Sequence, residues 1–180
     1  MRVISGDAKG RKLKAPKGLD TRPTSDRVKE AIFNVLAAKI PCSSVLDVFA
    51  GTGGLGIEAL SRGAKLAHFI EKDRDAALIV KHNLLHTGLN AHAQVFQGDF
   101  TYLLGKLKEK YDLIFLDPPY HQGLVRQAVS LIIKHGLLKE HGVIIIETGT
   151  KEKELPQEEE IALVKESVYG DTSVLYYQFR

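Results

Sequence analysis

The chain has 180 residues, enough to bury a substantial core in one domain. It is 44% hydrophobic, with no apolar run near the length of a membrane span and no hydrophobic leader behind its basic start, so it reads as a soluble cytoplasmic protein. A single cysteine, Cys42, excludes an internal disulfide and a cysteine-rich metal cluster. The net charge of +3 is unevenly placed: residues 1–17 carry Arg2, Lys9, Arg11, Lys12, Lys14 and Lys17 against Asp7 alone, so the remainder is net negative. A basic segment of this kind suits a polyanion, because each phosphate contact releases counterions.

In chain order, RVIS (2–5) and RKLK (11–14), separated by Gly6 and Gly10, can pair as a small hairpin. The stretch RPTSDRVKEAIFNVLAAKI (22–40) predicts a helix. Pro23 precedes it, Thr24 or Ser25 can cap it, and Val28, Ala31, Ile32, Val35 and Leu36 recur at helical spacing before Pro41 stops it. From Val45 onward, strand-like and helix-like runs alternate. VLDVF (45–49) leads to a helix at 54–62, LAHFIE (66–71) to 74–87, AQVFQ (93–97) to 100–109, DLIFL (112–116) to 123–135, and VIIIE (143–147) closes the series. These strands are nearly continuous apolar runs, which indicates burial on both faces. Five such units predict an α/β fold with a mostly parallel sheet and right-handed crossovers. After a charged stretch at 151–160, IALVKESVYG and TSVLYYQFR flank the turn Gly170-Asp171 and read as an antiparallel pair at the sheet edge, giving seven strands. The expected organisation is one domain over 1–180, with a basic hairpin-and-helix extension at 1–40 and a Rossmann-like core at 41–180.

The first core strand ends in DVFAGTGGLG (47–56), where Gly51, Gly53 and Gly56 match G-x-G-x-x-G and Glu71 lies 20 residues after Gly51. A nicotinamide or flavin enzyme is therefore one candidate. Asp47 weighs against it, because a carboxylate beside a pyrophosphate on the following helix N-terminus is unfavourable. S-adenosylmethionine has no phosphate and carries two positive groups, so the same acid becomes an asset. Gly51, Thr52 and Gly53 then let the backbone approach the ligand. Glu71 can accept the ribose hydroxyls, and Gly98-Asp99-Phe100, after the third strand, can receive the adenine amino group at Asp99. Three acids at the carboxyl ends of three successive strands surround one crevice.

The fourth strand runs into Asp117-Pro118-Pro119-Tyr120. An exocyclic amine on a nucleobase is a weak nucleophile with two N–H donors. Asp117 can accept one and the Pro118 carbonyl the other, while the prolines add no competing N–H. Two such acceptors draw the nitrogen out of planarity toward a methyl donor, and Tyr120 can stack on the base.

The segments DVFAGTGGLGIEALSRGA, FIEKD, QGDF and LIFLDPPY resemble the motifs of class I S-adenosylmethionine-dependent amino-methyltransferases. RVISGDAKGRKLKAP and RPTSDRVKEAIFNVL are similar to those of bacterial 16S ribosomal RNA guanine-N2 methyltransferases. That resemblance implies methylation of the N2 amine of one guanine in small-subunit RNA, on protein-bound RNA of an assembling subunit. It implies that Thr24 and Arg27 lie on the cofactor side, and that Arg2, Lys9, Arg11, Lys12 and Lys14 contact RNA. An N6-adenine methyltransferase keeps the same amine chemistry, and a nicotinamide-dependent oxidoreductase is the alternative of another class. His82 and His86 share a helix face at a spacing that can bind zinc, but no third ligand is evident and no metal is expected. Cys42 precedes the first core strand, far from the expected methyl position, and reads as an ordinary buried residue rather than a covalent nucleophile. His121 reads equally as a surface loop residue or a substrate contact, and Glu147, at the end of the fifth strand, as a structural residue or one that supports the site from behind.

Overall fold

The computed structural model describes residues 1–15, 26–119, 123–151 and 155–180. Among these, β1 (Ser44–Asp47), β2 (Leu66–Glu71), β3 (Ala93–Gln97), β4 (Tyr111–Leu116), β5 (Leu138–Gly149), β6 (Ile161–Tyr169) and β7 (Thr172–Phe179) form one sheet in the order β3-β2-β1-β4-β5-β7-β6. The first five are mutually parallel, and β7 runs antiparallel to both β5 and β6. The chain moves outward from β1 to β3, then returns to β4 on the other side of β1. That reversal opens a crevice at the carboxyl ends of β1 and β4.

Helices α1 (Asp26–Val35), α2 (Gly54–Ser61) and α3 (Arg74–Thr87) cover one face, packing Ile32, Phe33, Ile57, Val80 and Leu84 on Val45, Phe69, Leu113 and Phe115. Helices α4 (Phe100–Leu103) and α5 (Leu124–Lys134) cover the other, packing Phe100, Val125, Val129 and Ile132 on Leu46, Ile70, Ile114 and Ile144. Successive strand residues supply opposite layers, which is why the strands read as unbroken apolar runs. The expected seven-stranded sheet with helices on both faces and an antiparallel edge is present.

Several bounds differ from the sequence expectation. The first helix, expected to continue until Pro41 stops it, ends at Val35 and passes into a 3-10 turn at Ala37–Lys39, because Leu36 has left helical geometry (φ −89°, ψ 0°). Its expected caps, Thr24 and Ser25, lie outside the described residues. Cys42, expected to be buried, is exposed. The helix expected over 100–109 stops at Leu103, passes through a 3-10 turn at Leu104–Lys106, and becomes extended at Leu107. By contrast, α3 has the expected bounds. The Asp73 carboxylate accepts from the Ala76 N–H at 2.8 Å to start it, and Gly88 at φ 74° ends it.

The hairpin expected at the N-terminus forms a minimal bridge between Arg2 and Lys12, with Val3 N–H donating to the Arg11 carbonyl and Leu13 N–H to that of Met1. It lies flat on α2. Gly6 permits this contact, since a Cβ there would sit 1.7 Å from the Ser61 carbonyl oxygen. Ser61 Oγ donates to the Ser5 carbonyl and accepts from Ala8 N–H. Glu58, wholly buried on α2, accepts from the N–H groups of Ile4 (2.8 Å) and Ser5 (3.0 Å) and pairs with Lys29 of α1 and with Arg62.

Candidate active site

The glycine loop joins β1 to α2 at the sheet crevice. Gly51 (φ 54°) and Gly53 (φ 79°) adopt the left-handed conformation that the tight turn demands. Glu71, at the end of β2, holds the loop: one carboxylate oxygen accepts from Gly51 N–H at 2.7 Å, and the other from Asp73 N–H at 2.8 Å. Each oxygen keeps a lone pair for a hydroxyl. Nothing lies within 4 Å of where a Gly51 Cβ would stand, so the loop presents an open backbone surface.

Asp47, at the end of β1, is buried under this loop and accepts from Gly56 N–H at 3.2 Å. Burial pushes its carboxyl up to about 7; the Gly56 hydrogen bond opposes the shift and the Glu71 charge adds to it. Asp47 is thus an acid poised to ionise when a cation arrives. Asp99, after β3, behaves differently. One oxygen caps α4 through Thr101 N–H and Oγ, and the other pairs with Lys72 at 3.0 Å. The Thr101 hydroxyl and Lys72 bring its carboxyl down to about 2, so it remains an anionic acceptor. Gly98 donates its N–H to the Glu71 carbonyl, tying the β3 loop to β2. Phe100 packs edge-on against Phe49, with centroids 5.0 Å apart, forming an apolar wall beside Asp99.

Asp117 stands one residue past the end of β4, whose Phe115 pairs in register with Asp47. It is half-buried, Pro118 is buried and Pro119 exposed. The structure therefore brings Asp47, Gly51, Thr52, Gly53, Glu71, Gly98, Asp99, Phe100, Asp117 and Pro118 to one end of the sheet. Tyr120, His121 and Thr24 lie outside the described residues. Arg27 is exposed in the first turn of α1. Arg2, Lys9, Arg11, Lys12 and Lys14 are all exposed on the hairpin, and Arg2 also pairs with Asp26 at 3.2 Å. The rings of His82 and His86 lie parallel on α3, 6.4 Å apart.

Sequence reasoning missed Asn83. Its side chain is wholly buried on α3, where it bonds both to the backbone of Lys14 in the hairpin and to the Thr52 carbonyl in the loop. The available signal was a polar residue inside the apolar stripe Val80-Asn83-Leu84-Thr87. Glu58 gave a similar signal, as the one charge within GLGIEALS.

This donor set is acidic at three strand ends, open over the glycine loop and flanked by an apolar wall. It can take a ligand with positive charge, ribose-like hydroxyls and a flat ring. The strand order, the switch at β1/β4 and the antiparallel edge define a class I methyltransferase fold. Comparison with known proteins agrees. The chain belongs to the family described as Conserved hypothetical protein 95, whose model matches residues 1–178. A Haemophilus influenzae protein named ribosomal RNA small subunit methyltransferase D is 40% identical over 99% of this chain and 93% of its own length. A Bacillus subtilis protein provisionally named as an rRNA methyltransferase, YlbH, is 43% identical over the full length of both. Among solved structures, an Escherichia coli protein provisionally described as the methyltransferase yhhF superposes with a TM-score of 0.89 at 34% identity, covering 100% of this chain and 98% of that one. No helix among the described residues is long and apolar enough to cross a membrane.

Proposed function

We propose that the protein transfers the methyl group of S-adenosylmethionine to the exocyclic N2 amine of a guanine in small-subunit ribosomal RNA. The observation that carries this reading is the placement of Asp117-Pro118 at the end of β4, directly beside the acid-lined loop at the end of β1. When bound, S-adenosylmethionine supplies an electrophilic methyl on a positive sulfonium. Asp47 and Glu71 hold the loop in shape and give the site its negative potential, and Asp99 offers an acceptor to an amino group. Asp117 accepts one N–H of the target amine and the Pro118 carbonyl accepts the other. Together they fix the lone pair in line with the methyl and disfavour the flat, conjugated amine. Asp117 takes the proton that leaves the nitrogen. Tyr120 stacks on the base, and the exposed cations of the hairpin meet RNA phosphates. The names of the small-subunit relatives support the RNA class; the DPPY chemistry supports an amine but suits guanine and adenine alike.

The test is to delete the gene in the source organism and map methylated nucleotides in its small-subunit ribosomal RNA by mass spectrometry. One N2-methylguanine is expected to vanish, to return with the wild-type gene, and not to return with Asp117→Ala. In vitro, Asp117→Ala is expected to lower the methylation rate by at least about 10²-fold while S-adenosylhomocysteine still binds. An unchanged guanine map would refute the substrate, and a lost N6-methyladenine would replace it. Comparing naked RNA with partly assembled subunits as substrate decides whether the RNA is recognised in its protein-bound form.

A further inference from the structure

The contacts that fasten the basic hairpin to the core end in different places: Arg2 meets Asp26 and Lys29 of α1, and the Arg11 guanidinium donates to the His86 carbonyl of α3. Glu58 and Ser61 hold Ile4, Ser5, Asp7 and Ala8 against the body of α2, away from the glycine loop. Two more reach the loop itself, and both end at Thr52. Met1 Sδ lies 3.5 Å from the Thr52 hydroxyl. Asn83 makes the stronger link. Its Oδ1 accepts from Lys14 N–H at 2.8 Å, and its Nδ2 donates to the Lys14 carbonyl at 3.0 Å and to the Thr52 carbonyl at 2.9 Å.

This use of a carboxamide is demanding. An amide has two N–H donors and one carbonyl, and here both kinds of group are engaged while the side chain is wholly buried. Lys14 is gripped at its N–H and its carbonyl, much as a neighbouring strand would grip it, and the remaining bond goes to the loop. An aspartate supplies no donor, a leucine supplies nothing, and a glutamine is one methylene too long for the packed site. If Thr52 moves, the Asn83 amide must follow it or break a buried bond, and Lys14 follows Asn83. Thr52 lies between Gly51, which is fixed to Glu71, and Gly53, which opens α2. Ordering this loop around a ligand therefore orders the hairpin strand that carries Arg11, Lys12 and Lys14.

We infer that Asn83 is the positioning residue through which occupancy of the glycine loop and engagement of RNA by the basic hairpin strengthen one another; the RNA half of this inference rests on the function proposed above. Linkage makes the effect reciprocal: whatever factor RNA adds to cofactor affinity, cofactor adds to RNA affinity.

Two measurements test it on the full-length protein. The first needs no RNA. Hydrogen exchange is followed at the Val3, Leu13 and Lys14 amides, all hydrogen-bonded within or to the hairpin, with and without saturating S-adenosylhomocysteine. In the wild type, exchange at these amides slows several-fold on binding. In Asn83→Ala the Val3 and Leu13 amides no longer respond, whereas in Ser61→Ala, which loosens the hairpin without touching the loop, they still do. The second measures S-adenosylhomocysteine affinity by calorimetry with and without a small-subunit RNA fragment. About a fivefold or greater tightening is expected in the wild type, falling to within about twofold of none in Asn83→Ala. If the wild-type hairpin amides ignore S-adenosylhomocysteine, the inference is overturned, whether or not the variant folds. It is equally overturned if RNA and S-adenosylhomocysteine both bind the wild type independently, while the proposed function survives. If neither the RNA fragment nor a partly assembled small subunit binds, the proposed function and this inference fall together.

Discussion

The two helical layers on this sheet handle buried polar groups in opposite ways. Beneath α4 and α5 the core holds a neutral pair, His68 on β2 and Tyr111 on β4, whose Nδ1 and hydroxyl lie 2.8 Å apart. Burial lowers the pKa of His68 and pushes that of Tyr111 well above the usual phenol range, so both stay uncharged. Beneath α1–α3 the core holds Glu58 and Lys29, both with wholly buried side chains, 3.4 Å apart, joined by Arg62. A neutral pair can satisfy itself. A buried carboxylate needs more donors than one lysine can give, and it finds them in the Ile4 and Ser5 backbone. The ionic network thereby recruits a distant segment, and the neutral pair recruits none. Charge burial in this protein fastens the hairpin rather than adding to core stability.

Breaking the ionic layer should have the largest effect. Glu58→Ala leaves Lys29 buried without its partner and frees two hairpin amides, so a loss of about 3–5 kcal/mol is expected. The check is chemical denaturation, with hydrogen exchange showing the Ile4 and Ser5 amides unprotected even in the folded state. In the opposite layer, Ile132→Ala removes a fully buried side chain from α5. It should cost about 2–5 kcal/mol yet leave hairpin exchange unchanged. Equal hairpin exchange in the two variants would erase the distinction between the layers.

The same contrast governs what could be read from the sequence. Features with local causes were legible. Asp73 and Gly88 mark both ends of α3 because a cap acts within one turn, and the apolar runs reveal strands because burial on two faces leaves no polar position. The crevice acids were legible because parallel topology sends every strand's carboxyl end to the same side. Helix α4 was overextended because Leu103, Leu104 and Leu107 mimic a helical stripe, while the chain turns at Gly105 to pack beside α5. The basic cluster announced a partner but not its anchorage. Asn83 and Lys14 are 69 residues apart and meet only once α3 and the hairpin are both in place. The loop acids looked alike in sequence, yet burial sets Asp47 near neutrality while Thr101 and Lys72 keep Asp99 ionised.

Asp47 sharpens the comparison, because it is a buried carboxyl in the hairpin-bearing layer whose hydrogen bond comes from a backbone N–H, that of Gly56, rather than from a cation. Its folded pKa, about 7, lies above its ordinary value of 3.8. The folded chain therefore holds a proton that the unfolded chain has lost, and stability declines as pH rises from about 4 to about 7. Asp47→Asn removes this penalty and is expected to gain on the order of 2–4 kcal/mol at pH 8 in the ligand-free protein. The gain should come with weaker S-adenosylhomocysteine binding. In the wild type that binding should tighten from pH 6 to 8 and release a proton, measurable by calorimetry in buffers of different ionisation enthalpy. In the variant the pH dependence should flatten.

The smallest expected effect lies in the neutral pair. Tyr111→Phe leaves the His68 Nδ1 buried without its hydroxyl partner and should cost about 1–2 kcal/mol. It draws no other segment into the fold, so the hairpin amides should exchange as in the wild type. Its pH signature runs opposite to that of Asp47. Burial depresses the His68 pKa, so below the ordinary value of 6.5 the unfolded chain takes up a proton before the folded one does. Stability conferred by the neutral ring is complete above pH 6.5 and is lost as pH falls through the folded value. A His68→Leu variant should abolish that acid-side slope while leaving intact the Asp47 slope between pH 4 and 7. Retention of the acid-side slope in His68→Leu would assign it to the carboxylates of the hairpin layer instead.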